Sequence, residues 1–367
     1  MPGEPSRILV YRIGNLGDTV VALPAIEAVR RRFPQARMTL LTERHPNSRF
    51  VVASDVLPPG LFDDCVTYHS SDGRTDPRNL LALLPRLWRL RFDLLVYLAP
   101  RRRSRWSVGR DLLFFKLAGI RRMIGYQGRV ALGPRHPGEP LRALAHEADY
   151  LLDLVAQGGI PVPPPSERAI DLGLGSAELS WARNYLCSRR VPLEGFPMAI
   201  SPGSKAESKR WPEAHFAQIG ARLIRVYDIF PIVFGGPEDA GLGDRLIAAW
   251  GRGVNTAGQL SIRQSAAALS FCRLFVGTDS GPTHLAAAVG VPCVGIYAAI
   301  DFPGRWHPYG RRHVVIRHNL ECAGCMLVRC TAREMRCIKS VTVEEVMDAC
   351  ERFIAKMGES APCHRRL

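Results

Sequence analysis

Three polar residues, Asp279, Ser280 and His284, stand between an apolar segment and an alanine-rich one. The apolar segment, Leu274–Thr278, predicts a buried strand. The residues from Pro282 to Gly290 predict a helix, because proline favours the first helical turn and glycine the position after the last. The start of such a helix offers unpaired N–H groups and a positive dipole end to an anion. Two interpretations are open: a diphosphate site, or a helix cap with a surface histidine.

A second polar turn, from Arg12 to Asp18, follows a strand predicted at Arg7–Arg12. Its glycines, Gly14 and Gly17, allow a tight turn and a close approach of the backbone. Asp18 falls at the carboxyl end of that strand, where open α/β sheets bind ligands. A carboxylate at this place suits a general base, and it equally suits a cap for the following helix.

A third polar loop, Ser201–Pro212, lies between a predicted strand and a predicted helix. Small residues such as Ser204, beside Lys205 and Lys209, suit a diphosphate, with Lys209 as a point charge on the departing phosphate. The alternative is a polar loop between domains. A further turn holds Glu238, a residue type that accepts hydrogen bonds from ribose hydroxyls in nucleotide sites.

Four of the ten cysteines, Cys322, Cys325, Cys330 and Cys337, fall within 16 residues. Four thiolates at such spacing suit a tetrahedral zinc or iron site, and that site would be structural because no coordination position stays open. Free thiols and disulfides are the alternatives, and disulfides are disfavoured in the cytoplasm.

Strands and helices alternate along both halves of the chain, which predicts parallel βαβ units. A chain of 367 residues suits two domains. The proline-rich segment Ile160–Pro165 is the strongest linker signal. We therefore predict an α/β protein with two Rossmann-like domains, residues 1–175 and 176–367, and place the cysteine-rich segment 322–337 and a C-terminal helix in the second.

The net charge of +15 is unevenly distributed, since residues 70–145 hold 16 Lys/Arg against 5 Asp/Glu. The centre of this basic region is the run Arg101–Trp106. A solvated face and a contact with anionic lipid or an anionic acceptor are both compatible with it. No zinc-finger, homeodomain or RNA-recognition signature is present, so we predict no nucleic-acid partner.

No apolar run reaches the roughly 18–20 residues that a bilayer span requires. The best candidate, Leu80–Leu98, is interrupted by several arginines and Asp93. The first residues carry no signal-peptide pattern, and we expect a cytoplasmic protein.

Together these motifs resemble glycosyltransferase family 9, the heptosyltransferases of bacterial lipopolysaccharide synthesis. The resemblance covers most of the chain and is strongest at Arg12–Ala25, Lys209–Pro212 and Thr278–Gly290. It implies a GT-B fold, with two Rossmann-like domains facing each other across a cleft, and inverting transfer that needs no metal. The implied donor is ADP-L-glycero-β-D-manno-heptose. The implied acceptor is an anionic lipopolysaccharide-core or related glycan, with the enzyme peripheral to the inner membrane.

The resemblance also implies a role for each motif. Asp18 would be the general base that deprotonates the acceptor hydroxyl, with Arg12 and Gly17 beside the acceptor, and Lys209 would stabilise the leaving diphosphate. The remaining residues that the resemblance places on the donor are Ser204, Glu238, Asp279, Ser280, Gly281 and His284, and Lys205, next to Ser204, is a further candidate for substrate binding. Clustered cysteines recur at this point in the family, and some relatives that modify autotransporter proteins carry a four-cysteine metal finger.

Two segments differ from the family's usual pattern. Ala99 and Pro100, followed by the basic run, replace a polar, glycine-containing segment that faces the acceptor, and Lys205 stands where a small or hydroxyl residue is common. Other nucleotide sugars and a protein acceptor are therefore alternatives. A non-enzymatic binder of membranes or nucleic acid is an alternative from another class. A dinucleotide oxidoreductase is disfavoured because the first turn lacks the full Gly-x-Gly-x-x-Gly pattern.

Overall fold

The computed structural model describes residues 3–44, 53–69, 77–136, 138–331 and 333–359. The chain forms two compact units. The first comprises Met1–Gly133 and Ala145–Gly173, and the second comprises Pro134–Leu144 and Leu174–Leu367.

The first unit is a five-stranded parallel sheet in the order β3-β2-β1-β4-β5. Helices cover both faces of a parallel sheet, so its central strands are largely apolar, and β4 is buried at every residue. The strands are β1 Arg7–Tyr11, β2 Arg37–Arg44, β3 Asp64–His69, β4 Leu94–Tyr97 and β5 Arg122–Ile124. The helices are α1 Leu16–Arg32, α2 Pro77–Leu90, α3 Arg105–Leu117 and α4 Glu147–Gln157.

The second unit is a six-stranded parallel sheet in the order β11-β10-β9-β6-β7-β8. Its strands are β6 Pro197–Ser201, β7 Phe230–Val233, β8 Val254–Asn255, β9 Leu274–Thr278, β10 Cys293–Tyr297 and β11 His313–Arg317. Its helices are α5 Ser176–Ser188, α6 Glu213–Tyr227, α7 Ala240–Trp250, α8 Ile262–Leu269, α9 Gly281–Ala288, α10 Arg336–Lys339 and α11 Val343–Glu359.

The two sheets share one topological feature that positions the polar loops. In each unit the chain builds strands outward on one side of its first strand and then returns to the other side, so the order reverses between β1 and β4 and between β6 and β9. The loops that leave these paired strands diverge to opposite faces and leave a crevice at their carboxyl ends, where open α/β sheets bind ligands. The turn Arg12–Asp18 follows β1, and the loops that hold Lys209 and Asp279 follow β6 and β9.

The predicted fold class, α/β with two Rossmann-like domains, is confirmed. The strands β3, β8 and β11 are not among the predicted elements. All three are peripheral: β3 and β11 are edge strands, and β8 has only two residues. Their pairing partners stabilise them more than their own apolar patterns do, which is why a sequence pattern misses them.

Residues 134–144 belong to the second unit, although the sequence-based boundary placed them within residues 1–175. Arg135 explains this, because its guanidinium donates to the carbonyl of Ala323 at 2.6 Å and also to that of Glu321. At the other end of the segment, the N–H of Leu144 donates to the carbonyl of Pro303 at 2.8 Å. A local reading of the Gly- and Pro-rich sequence cannot detect these long-range bonds.

Among the described residues, none of the helices is long and apolar enough to cross a bilayer.

Candidate active site

Arg12 is the central buried charge of the first unit. It follows β1 and is completely buried, and its Nη1 donates to the carbonyl of Leu98, the residue after β4, at 2.6 Å. Its Nη2 donates to the carbonyl of Asp18 and lies 3.6 Å from Oδ1 of the Asp18 carboxylate. The guanidinium therefore links the ends of β1 and β4 at the point where the strand order reverses.

Asp18 caps the start of α1 and keeps an accessible carboxylate. As the third residue of α1 it caps the helix start, and its Oδ2 accepts a hydrogen bond from the backbone N–H of Asn15 at 2.9 Å. Its side chain is 19% exposed, so the carboxylate is accessible at the carboxyl edge of the sheet. Gly14, at φ +125°, is required there because a Cβ would lie 2.7 Å from Cγ of Asp18. The cap fixes the carboxylate without burying it.

In the second unit, the loop after β6 and the loop after β9 meet in one ion pair. Nζ of Lys209 lies 2.6 Å from Oδ2 of Asp279. The Asp279 carboxylate is 7% exposed and the Lys209 side chain 21% exposed. The loops are tied a second time by Thr278, whose hydroxyl donates to the carbonyl of Gly203 at 2.7 Å. The sequence-predicted residues Lys209, Ser204 and Asp279 thus lie on two loops that the structure joins.

Helix α9 begins directly beside this pair. Ser280 is its N-cap in extended conformation, but its hydroxyl makes no capping bond to the helix. The Ser280 Oγ is buried, and no hydrogen-bond partner for it exists among the described residues. A buried hydroxyl without a partner is costly, and an anion at the helix start supplies an acceptor for it.

Gly203 and Asp239 form a contact that the sequence did not indicate. A Cβ on Gly203 would lie 1.9 Å from Oδ1 of Asp239, so only glycine fits beside this carboxylate. The other carboxylate oxygen accepts the N–H of Gly236 at 2.9 Å. Burial raises the pKa of Asp239 above its ordinary value. This contact positions the loop after β7 against the loop that leads to Lys209.

His284 is buried, at 4% exposure, which is inconsistent with the surface-histidine interpretation. Its ring lies edge-on to the Trp306 ring, with centroids 6.0 Å apart. The loop after β10 that carries Trp306 is itself ordered by Asp301, whose carboxylate accepts the Trp306 Nε1–H at 3.1 Å and lies 3.0 Å from Nη1 of the buried Arg305. This loop was not predicted as part of the site, because it has no short motif.

The other predicted residues differ in exposure. Gly17 lies in the first turn of α1 and Gly281 in the first turn of α9, both partly buried. Ser204 is buried, and its carbonyl accepts the Nε–H of Arg210 at 2.8 Å. Lys205 and Glu238 are exposed.

The basic run after β4 is divided between structural and exposed arginines. Arg103 lies 2.6 Å from the Asp111 carboxylate, which also accepts the Tyr97 hydroxyl at 2.7 Å. The guanidinium of Arg101 stacks on the Tyr150 ring at 4.2 Å. Arg102 and Arg105 are exposed in the same run. Residues 70–76 and 137 of the predicted basic region lie outside the described residues.

The four clustered cysteines lie near one another in the second unit. Burial raises the pKa of Cys337, and the neighbouring thiols of Cys322, Cys325 and Cys330 raise it further. Within the part of the chain that the structure describes, however, no three His, Cys, Asp or Glu side chains are arranged as a ligand set. We therefore assign no chemical step to a metal.

Comparison with known proteins points to one family. The family profile described as "Glycosyltransferase family 9 (heptosyltransferase)" matches residues 160–335, which include the Lys209–Asp279 pair and α9. A lipooligosaccharide heptosyltransferase 2 of Campylobacter jejuni is 25% identical over 164 residues, 43% of this chain and 50% of that protein. The chain thus matches about half the length of that relative. The lipopolysaccharide core heptosyltransferase OpsX of Haemophilus influenzae is 24% identical over 316 residues, 85% of this chain and 84% of that protein.

Residues 160–335 match glycosyltransferase family 9, and the heptosyltransferase relatives support the same assignment. The fold agrees, since the solved structure of the Escherichia coli ADP-heptose LPS heptosyltransferase II superimposes with a TM-score of 0.67 at 18% identity, over 96% of this chain and 99% of that chain. The family match and the heptosyltransferase relatives favour a glycosyltransferase over a non-enzymatic binder. The role of each site residue is a separate matter, because neither the family profile nor the fold likeness assigns it.

Two largely buried histidines predict that the stability of the protein depends on pH. Burial, with a smaller effect of Arg317, lowers the pKa of His307 below its ordinary 6.5, and burial also lowers the pKa of His313. The unfolded chain therefore binds protons more readily than the folded chain below about pH 6.5, so stability falls as the pH falls through that range and levels off above it.

We expect the free energy of unfolding, measured by urea titration at about pH 7.5 and 5.5, to decrease on acidification. His307→Gln should reduce that difference, since it removes one of the responsible groups. His136→Gln, at an exposed position, should keep the wild-type difference. If His307→Gln kept the wild-type difference, His307 would not be a source of the pH dependence.

Proposed function

We propose that this chain transfers heptose from ADP-L-glycero-β-D-manno-heptose to a lipopolysaccharide-core or related anionic glycan, with inversion at the anomeric carbon. The observation that carries the proposal is the arrangement after β6 and β9. There a lysine, a buried carboxylate and a helix start with an unpartnered serine hydroxyl converge at the strand-order reversal. The names of the relatives support the sugar and the acceptor class.

The reaction divides into two tasks, each suited to one of the two units. Asp18 takes the proton of the acceptor hydroxyl while the acceptor oxygen forms a bond to the anomeric carbon. The bond from that carbon to the diphosphate breaks, and its electron pair leaves with ADP. The sugar carries positive charge in the transition state, and negative charge develops on the β-phosphate, so fixed donors at the phosphate lower the barrier.

Lys209 is suited to that developing charge. An ammonium group has three N–H donors, and Asp279 accepts from one direction at 2.6 Å. The remaining donors can contact phosphate oxygens because the Lys209 side chain is partly exposed. Asp279 orients the ammonium, and the start of α9 with Ser280 supplies further donors. Ser204, Lys205, Gly281 and His284 lie on the same loops and helix and complete the proposed donor site, with Glu238 towards the nucleoside.

On the acceptor side we propose Arg12, Gly17 and the exposed arginines of the basic run. Arg12 itself is fully buried, so it acts on the acceptor by holding Asp18 rather than by direct contact. Exposed Arg102 and Arg105 suit an anionic sugar or phosphate. A glycolipid acceptor would bring the enzyme to the cytoplasmic face of the inner membrane as a peripheral protein.

Asp18 is tested by two substitutions that separate its two properties. Asp18→Asn keeps an oxygen that can accept the Asn15 N–H but removes the base, whereas Asp18→Ala removes both. We expect both variants to lose transfer by about 10²–10⁴-fold, the usual contribution of a general base. Only Asp18→Ala should lose the helix cap, at about 0.5–2 kcal/mol of stability.

The measurements are heptose transfer under saturating donor and thermal unfolding of the same preparations. ADP binding should be nearly unchanged in both variants, since Asp18 lies in the other unit. An Asp18→Asn variant with wild-type transfer would show that the carboxylate is a cap only.

Lys209 and the donor are tested by calorimetric titration with ADP-heptose, ADP, UDP and GDP. We expect selective binding of ADP and ADP-heptose, with ADP affinity about 10–100-fold weaker in Lys209→Gln, as for the loss of a charged hydrogen bond. Lys356→Gln makes the same change of charge at an exposed position of α11 and should bind normally.

Preference for UDP or GDP would assign another nucleotide sugar. Full ADP affinity in Lys209→Gln would remove its proposed role. Mass measurement of a protein acceptor before and after reaction would detect transfer to a side chain.

We propose that transfer itself needs no metal, because Lys209 and the start of α9 supply the positive charge that a metal would otherwise supply. Dialysis against EDTA should leave the transfer rate within about twofold, and loss of transfer that magnesium restores would contradict this. A structural zinc or iron on the four cysteines is a separate proposal. About one metal ion per chain, lost in Cys322→Ser, would support it. Folded, active, metal-free protein would contradict it.

A further inference from the structure

Helices α2 and α3 expose large apolar side chains in a regular pattern. Trp106, Leu113 and Leu117 on α3 are spaced by seven and four residues, which places them on one side of the helix at intervals of about two turns and one turn. They are 74%, 57% and 62% exposed. Leu81 and Trp88 on α2 share the seven-residue spacing and are 69% and 60% exposed. We name these five side chains the apolar stripe.

The two helices pack on the same face of the first unit's sheet, and the apolar stripe lies on their exposed sides. Leu83 and Leu87 of α2 and Phe115 of α3 pack into the same core cluster on one face of the first unit's sheet. At the ends of the helices, the Trp88 ring lies 3.4 Å from the place that a Cβ on Gly119 would take. The apolar stripe therefore faces away from a core that other residues of the same helices already fill.

The charge around the apolar stripe has one sign. Neither α2 nor α3 has an exposed acidic residue, because the one acid in either helix, Asp111, is buried and paired with Arg103 at 2.6 Å. The guanidinium of Arg110 also lies over the Trp106 ring, 5.7 Å from its centroid. The exposed basic side chains of the two helices are Arg78, Arg86, Arg89, Arg105, Arg110 and Lys116.

We propose that the α2–α3 face docks on an anionic phospholipid bilayer, with the apolar stripe at the acyl boundary and the arginines at the lipid headgroups. Exposed tryptophan and leucine on a helix that otherwise carries cations are the composition of an interfacial membrane surface. An acidic protein partner would satisfy the arginines but not five apolar side chains. A second copy of this chain would bring like charges together, which costs free energy.

This inference rests on the proposed function in one respect: a glycolipid acceptor would lie in the bilayer on which the enzyme docks. The docking surface is distinct from the proposed donor site, which lies in the second unit. Binding to vesicles is therefore measurable without any transfer reaction, and its failure would leave the transferase proposal intact.

The experiment is co-sedimentation of the full chain with vesicles of phosphatidylglycerol and phosphatidylethanolamine, and with vesicles of phosphatidylcholine alone. We expect binding to the anionic vesicles and a blue shift of tryptophan emission. The double variant Trp106→Ser, Leu113→Ser should bind these vesicles about tenfold or more weakly, because two exposed apolar side chains no longer enter the interface.

The matched control is Val226→Ser, which removes a 55% exposed apolar side chain from α6 of the second unit. It should bind vesicles as the wild type does. ADP affinity should be unchanged in both variants, which verifies that the protein remains folded.

Wild-type vesicle binding by the double variant would overturn the proposal and leave a purely electrostatic contact. Equal binding to neutral and anionic vesicles would overturn the role of the arginines. Sedimentation velocity tests the last alternative. A dimeric wild type and a monomeric double variant, with no vesicle binding by either, would overturn the proposal and show that the face joins two copies of the chain.

Discussion

The reversal of strand order in each sheet is the constraint on which the polar chemistry of this protein depends. Parallel strands require crossover connections, and crossovers of one hand place successive helices on opposite faces when the direction of strand addition changes. The loops after β1 and β4, and after β6 and β9, therefore separate and leave their backbone groups at an open edge. Polar and charged side chains can be held there without interrupting either core.

At both reversals the chain places a cation against a carboxylate. Arg12 and Asp18 meet in the first unit and Lys209 and Asp279 in the second. The burial is opposite in the two pairs: in the first the cation is fully buried and the acid accessible, and in the second the acid is buried and the cation more accessible. The accessible member is the group that the proposed chemistry uses in each case, while the buried member fixes its position.

The arginines in the basic region of the first unit have several separate roles and do not form one patch. Arg103 neutralises buried Asp111, and Arg129 donates to the carbonyls of Ala99 and Pro100 at 2.7 and 2.9 Å, so these charges stabilise the fold around β4. Arg102 and Arg105 remain exposed beside the carboxyl edge, and the arginines of α2 and α3 lie around the apolar stripe. The net charge of the region does not distinguish arginines that are paired within the fold from arginines that are exposed, because a sum of charges does not record their ion-pair partners.

The sequence by itself determined the alternation of strands and helices, the polar loops after β1, β6 and β9, and the resemblance to family 9, because these depend on local spacing and short motifs. Only the tertiary structure decided that Lys209 pairs with Asp279, that Gly203 must accommodate Asp239, and that residues 134–144 bind to the second unit. It also showed that Asp18 caps a helix, independently of its proposed role as a base, and that His284 is buried. The physical reason is that burial and ion pairing depend largely on neighbours that are distant in the sequence, such as Thr278 and Gly203, whereas a motif records only residues along one turn or one strand.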